Sequence, residues 1–152
     1  MNLVVRQAEE KDIKIMAEMD VLCFSAPWSE LSFEKEIKEN HLAFYIVAEI
    51  DERVVGYAGL WCIVDEGHIT NVAVHPDFRR KGIGEALVSV LLEHTTEIGL
   101  LSHTLEVRAS NDPAIALYSK FGFEAAGVRK NYYEDNGEDA IIMWRKQENE
   151  TE

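Results

Sequence analysis

An apolar run, Val72-Ala73-Val74, feeds His75-Pro76-Asp77-Phe78, then three cations, Arg79-Arg80-Lys81, and then Gly82-Ile83-Gly84. Behind these residues Ile83, Leu87, Leu91 and Ile98, with Val88 and Leu92 alongside, recur at the helical period as far as Gly99. Strand, basic glycine loop and long helix, in that order, constrain this chain more than any other segment. Glycines let the backbone approach a ligand closely, successive amides form a concave nest, and a helix start carries about half a positive charge. The segment is laid out as an anion site that a pyrophosphate would fit.

Three anion-binding patterns compete for such a loop, because Gly-x-Gly after a strand is a weak signal alone. A dinucleotide fingerprint needs a third glycine where Leu87 stands, and a Walker loop needs Gly-Lys-Ser/Thr, which the chain lacks. The remaining pattern, Arg/Gln-x-x-Gly-x-Gly/Ala, is met by Arg79, Gly82 and Gly84. On these residues alone a tight basic turn without a ligand stays open.

The flanking sequence reads as a mixed α/β chain. Asn2 to Arg6 is strand-like, and Glu10 to Leu22 carries a helical stripe of Ile13, Met16, Ala17, Met19 and Leu22. Ser29 or Ser32 caps a short second helix with Phe33 and Ile37 on its apolar side. Leu42 to Ile50, Arg53 to Val64 and His68 to Val74 form a meander, turning at Asp51-Glu52 and Asp65-Glu66-Gly67. After the long helix come a strand, His103 to Ala109, and a helix capped by Asp112-Pro113, running through Lys120 and stopped by Gly122. Phe123 to Tyr133 and Glu138 to Lys146 read as a hairpin with Asn136-Gly137 in its connection. The order β-α-α-β-β-β-α-β-α-β-β, without repeat or linker, predicts one domain over residues 1–146 and a frayed tail over 147–152.

A length of 152 residues with 47% hydrophobic and 28% charged residues suffices for a core without staples. The net charge of −13 repels phosphate backbones and anionic lipid, so direct nucleic-acid or membrane binding is not expected, whereas a basic partner is favoured. Cys23 and Cys62 lack ligand spacing, His68 and His75 are isolated, and no basic-then-apolar leader precedes Leu3-Val4-Val5, which predicts a cytoplasmic protein without a metal. No apolar stretch approaches the ~18 residues of a membrane span.

Several segments beyond the loop resemble those of the GNAT acetyltransferase superfamily, and within it the RimI type, which acetylates the N-terminal alanine of a small-subunit ribosomal protein. They are Pro27-Trp28-Ser29-Glu30, Asn71-Val72-Ala73-Val74-His75-Pro76-Asp77, Leu105-Glu106-Val107-Arg108-Ala109-Ser110-Asn111, Ala114-Ile115-Ala116-Leu117-Tyr118 and Asn131-Tyr132-Tyr133. The resemblance implies the GNAT fold, a twisted mixed sheet of about seven strands flanked by about four helices, with acetyl-CoA as co-substrate and no metal. It implies that backbone groups of Val72, Ala73 and Val74 pair with the pantetheine arm. Arg79, Arg80, Lys81, Gly82, Ile83, Gly84 and Glu85 would surround the pyrophosphate, and Asn111 would touch the cofactor. It also carries the general base onto Glu106 and the general acid onto Tyr118.

The residues give those roles partial support. Alternation puts Leu105 and Val107 on one strand face and Glu106 on the other with Thr104 and Arg108; a solvated face is the alternative, unless helices cover both sides. A Glu of ordinary pKa, about 4.3, is a poor base for an α-ammonium of about 8, so burial must raise it or water must relay the proton. Tyr118 shares a stripe with Ala114 and Phe121 and would otherwise be a core aromatic. A phenol of pKa about 10 is a weaker acid than a thiol of about 8.5, so it would stabilise a departing thiolate by hydrogen bonding.

For the acceptor, the candidates are the Pro27 to Leu31 turn and the Asn131 to Asp139 loop, with Trp28, Tyr132, Tyr133 and Asp139 as contacts. Glu30, Glu134, Asp135, Glu138 and Asp139 would attract a basic ribosomal-protein N-terminus or simply be solvated. Another amine acceptor, such as another N-terminus, a lysine or a polyamine, is the enzymatic alternative. A coenzyme-A-binding domain without turnover is the other.

Overall fold

The computed structural model describes residues 2–146; the tail expected over 147–152 lies outside the described residues. Seven strands form one mixed sheet in the order β1-β2-β3-β4-β5-β7-β6. They are β1 (Leu3–Gln7), β2 (Ala43–Ile50), β3 (Arg53–Ile63), β4 (Glu66–Val74), β5 (Ser102–Arg108), β6 (Glu124–Arg129) and β7 (Ala140–Lys146). The helices are α1 (Ile13–Cys23), α2 (Glu30–Lys38), α3 (Ile83–Glu97) and α4 (Asp112–Lys120), in the predicted order. All neighbouring strands are antiparallel except β4 and β5.

Helix α3 buries Ile83, Leu87, Val88, Leu91 and Leu92 on one sheet face, each worth about 1.5–3 kcal/mol of apolar transfer. It packs that closely because position 56 is glycine: a Cβ there would lie 3.0 Å from the Ala73 carbonyl oxygen and 3.1 Å from Leu87 Cδ1. Tyr118 of α4 joins this core. On the other face α1 and α2 bury Met16, Met19 and Phe33 against Tyr45, Val47, Tyr57 and Ala73 of β2, β3 and β4. No helix among the described residues is long and apolar enough to cross a membrane.

Local readings shift where chemistry overrode pattern. Leu22 is exposed, and the buried stripe of α1 passes through Asp20 instead. Strand β3 stops at Ile63 and β4 begins at Glu66, because Val64 occupies the turn at φ 57, a backbone region that a β-branched residue rarely enters. Ser29 is the residue that caps α2, accepting from Ser32 N at 3.1 Å. The cap of α4 is Asn111, accepting from Ala114 N at 3.2 Å, rather than Asp112. The last two strands are no tight hairpin: β6 ends at Arg129, and residues 130–139 make a long connection that keeps Tyr132 and Tyr133 out of the ladder.

His103 of β5 is fully buried and donates through Nε2 to Thr95 Oγ1 at 2.8 Å, since that hydroxyl already donates to Leu91 O at 2.7 Å. Burial, aided by the Arg145 charge, pulls its pKa down to about 4. The folded state therefore stays neutral at pH values where an unfolded histidine, near 6.5, takes up a proton, so stability is lost as pH falls from 6.5 toward 4. Urea unfolding should show His103 removing about 2 kcal/mol between pH 7 and pH 5. His103→Gln should flatten that part of the profile, and an unchanged slope would contradict the assignment.

Candidate active site

The parallel pair of β4 and β5 is short. It holds only at Glu66 with Ser102, Gly67 with His103 and His68 with Thr104, after which the strands part. His75 N donates to Val55 O at 2.8 Å, so His75 faces β3, and alternation turns Ala73 the same way while Val72 and Val74 face the gap. The Val74 carbonyl is already engaged by Cys23 Sγ and Arg79 Nε, each at 3.3 Å. Of the three predicted backbone contacts, Val72 and Val74 thus present groups to the cleft and Ala73 does not. Asn71 Oδ1, just before them, is buried without a hydrogen-bond partner among the described residues.

At the open end of the gap lies the basic loop. Arg80 (φ 64) and Gly82 (φ 78) both adopt left-handed backbone, which a glycine tolerates and which turns the chain into α3. Gly82 offers no side-chain cap, and the first intrahelical bond runs from Ala86 N to Gly82 O, so the amides of Ile83, Gly84 and Glu85 have no helical acceptor. A Cβ at Gly84 would meet Leu117 and Val74 at 3.7 Å, ordinary contact that accounts for a Gly-or-Ala position. Arg80 and Lys81 are exposed, Arg79 folds back on Val74, and Glu85 pairs with Lys120 at 3.5 Å. Among the described residues, unsatisfied amides, two cations without an ion-pair partner and an unpaired strand edge fit a thioester cofactor bearing a pyrophosphate. Asn111, occupied as the α4 cap, offers at most its remaining polar atoms.

Glu106 sits on the sheet face that α1 and α2 occupy, but those helices reach only β2 to β4. The carboxylate is therefore partly solvated, not enclosed between helix layers, with its side chain 31% exposed. Arg129 Nε donates to Oε2, and the Tyr132 hydroxyl donates to Oε1 at 3.3 Å. Tyr118 comes from the opposite core, 8% exposed, edge-on to Phe123 with ring centres 5.7 Å apart. Burial pushes its hydroxyl well above the usual phenol range, so it stays protonated. Its hydroxyl has no hydrogen-bond partner among the described residues and is a neutral donor.

Two loops flank Glu106. In the first, residues 24–29, Trp28 N donates to Asp20 Oδ2 at 2.9 Å and the indole tilts against Phe33 at 5.4 Å, so Trp28 anchors the loop. Asp20, 1% exposed, also accepts from the Tyr57 hydroxyl, and burial raises its pKa. In the second, residues 130–139, Tyr132 is 46% exposed and Tyr133 lies 4.0 Å beneath the Arg108 guanidinium. Asp139 accepts from Asn131 N at 2.9 Å and Glu138 from Ser110 N at 2.7 Å, while Asp135 pairs with Arg108. Three of the five acidic candidates are thus engaged, Asp139 within the loop and Glu138 and Asp135 by Ser110, Arg108 and Ser25 outside it, and Glu30 and Glu134 remain exposed. Sequence reading missed Asp20, Ser25, Arg108 and Arg129. Asp20 alone carried a visible signal, a carboxylate on the buried stripe of α1.

The acetyltransferase (GNAT) family model matches residues 13–123. A Bacillus subtilis (strain 168) protein, provisionally named as a ribosomal protein bS18-alanine N-acetyltransferase, is 44% identical over 140 residues, 92% of this chain and 93% of that one. The ribosomal protein bS18-alanine N-acetyltransferase of Escherichia coli (strain K12) is 36% identical over 141 residues, 91% of this chain and 94% of that one. The crystal structure of the ribosomal-protein-S18-alanine N-acetyltransferase from Escherichia coli superposes with a TM-score of 0.89 at 32% identity, covering 99% of both chains.

Asp20 and Arg129 should differ in what their removal costs. Asp20→Ala strands two buried donors, each costing about 1–3 kcal/mol. Arg129→Gln breaks only an exposed pair with Glu106, worth at most about 1 kcal/mol. Urea denaturation that ranks these variants the other way would contradict the described environments.

Proposed function

The chain belongs to the acetyltransferase (GNAT) family, and from that membership we propose that it acetylates the N-terminal alanine of a small-subunit ribosomal protein, using acetyl-CoA. The observation that carries the acceptor is the 44% and 36% identity, over more than nine-tenths of the chain, to proteins named for that alanine.

Acetyl-CoA supplies the acetyl group as a thioester, an activated acyl donor. Within the chain, the edge groups of Val72 and the amide of Val74 bind its arm as an added strand would. The amides of Ile83, Gly84 and Glu85, with Arg80 and Lys81, hold its pyrophosphate. Glu106 accepts the proton of the incoming amine. Its partial exposure favours transfer through a water, which removes the need for a strongly basic carboxylate. The neutral Tyr118 hydroxyl donates a hydrogen bond to the sulfur as it leaves, and its raised pKa makes it a stabilising donor rather than a full proton source. Attack is direct, and neither Cys23 nor Cys62 takes part. An exposed Glu30 and Glu134, within a net charge of −13, draw in a basic N-terminus.

Mass measurement after incubation with acetyl-CoA should show acetyl transfer to a peptide with a free N-terminal alanine. A peptide with a blocked N-terminus and internal lysines should stay unmodified. Glu106→Gln should lower kcat by roughly 10²–10⁴-fold with coenzyme A binding retained. Tyr118→Phe should lower it less. Acetylation of the lysines alone would overturn the acceptor, and full activity in both variants would overturn the catalytic roles.

A further inference from the structure

The two loops that flank Glu106 are joined by one hydrogen bond. Ser25 Oγ donates to Asp135 Oδ2 at 2.5 Å, across a separation of 110 residues. The same carboxylate takes a two-pronged bond from Arg108, with Nη2 to Oδ2 at 2.9 Å and Nη1 to Oδ1 at 3.2 Å, the strong planar geometry of guanidinium with carboxylate. Arg108 stands two residues beyond Glu106 on the same face of β5, and its guanidinium lies 4.0 Å over the Tyr133 ring. One carboxylate therefore links the first loop, the strand that bears Glu106, and the aromatic pair of the second loop.

The first loop is secured at one end by Phe24 N, which donates to Asp20 O at 2.9 Å, and at the other by Trp28 N on the Asp20 carboxylate, so Ser25 is its link to the second loop. Both Ser25 and Arg108 hold the Asp135 carboxyl below the usual range, so the contact keeps its ionic character at neutral pH. Asp135 makes no hydrogen bond to Glu106, Tyr118 or Tyr132 among the described residues. Because these groups are partly exposed, the contact adds little to global stability, and its effect falls on the local spacing of the two loops.

We propose that Asp135 is a positioning residue, a clasp that fastens the 24–29 loop to the 130–139 loop and thereby sets the width of the acceptor groove beside Glu106. This rests on the reading of that groove as the acceptor site. The clasp acts on acceptor binding alone, since neither loop forms the cofactor cleft.

Steady-state kinetics on the full chain test it. Ser25→Ala and Asp135→Asn should each raise the KM for an alanine-ended peptide about fivefold to tenfold, the loss of one charge-assisted hydrogen bond. Each should leave kcat and the acetyl-CoA KM within twofold, the double variant should be no worse than the poorer single variant, and Ser25→Thr should behave as wild type. Unchanged peptide KM, multiplicative effects in the double variant, or an equal rise in acetyl-CoA KM would overturn the clasp. Amide exchange of residues 131–137 supplies a readout that needs no acceptor. It should quicken in both single variants at an unchanged Tm, and unchanged exchange overturns the clasp even if no peptide is turned over. Failure of the wild type on every alanine-ended peptide, with quickened exchange in the variants, would instead sink the acceptor assignment and keep the clasp.

Discussion

Everything in this fold that bears on chemistry depends on a ladder that stops early. Strands β4 and β5 pair over three residues and then separate, although both continue for several more. A bulge at Thr70, where β3 and β4 fall out of step between Gly59 and Leu60, increases the local twist and turns β4 away from its parallel neighbour. An unpaired strand edge is costly unless water or a ligand satisfies it. The gap thus combines an exposed ladder edge with a helix start whose amides have no helical acceptor, and the two differ in kind: one suits an amide chain, the other an anion.

Unequal helix cover then decides where the reacting groups sit. Helices α1 and α2 shield β2 to β4 only, so the face of β5 that bears Glu106 is left open, while α3 and α4 close the opposite face and bury Tyr118. The base candidate is consequently wet and paired with Arg129 and Tyr132, and the donor candidate is dry and neutral. Such a division suits a reaction that must take a proton from an amine on one side and steady a sulfur on the other.

Much of this is legible in the sequence. The period-3.6 stripe of α3, the basic glycine loop and the turn residues around each strand gave the element order without error, because periodicity and turn chemistry are local. Tertiary choices were not legible. Leu22 looked like a core residue, yet the buried stripe follows Asp20, whose carboxylate is held by Tyr57 and Trp28 from distant segments. Val64 read as strand because its side chain says so, while the ladder had already ended. Tyr132 and Tyr133 prolonged a strand-like pattern, but the 130–139 loop is pulled out of the sheet by Arg108, Ser110 and Ser25, none of them near it in sequence. The side of the strand on which Ala73 presents its backbone follows only from the His75 contact with Val55.

The claim that the parted strands form the cofactor cleft is tested most directly by amide hydrogen exchange at Val72 and Val74, followed by NMR with and without acetyl-CoA. Their amides face the gap and should exchange quickly in the free protein, then slow markedly when acetyl-CoA is added, while the Ala73 amide, already directed at β3, changes little. Equal exchange at Val72 and Val74 with saturating acetyl-CoA, in a protein that binds it, would contradict the cleft.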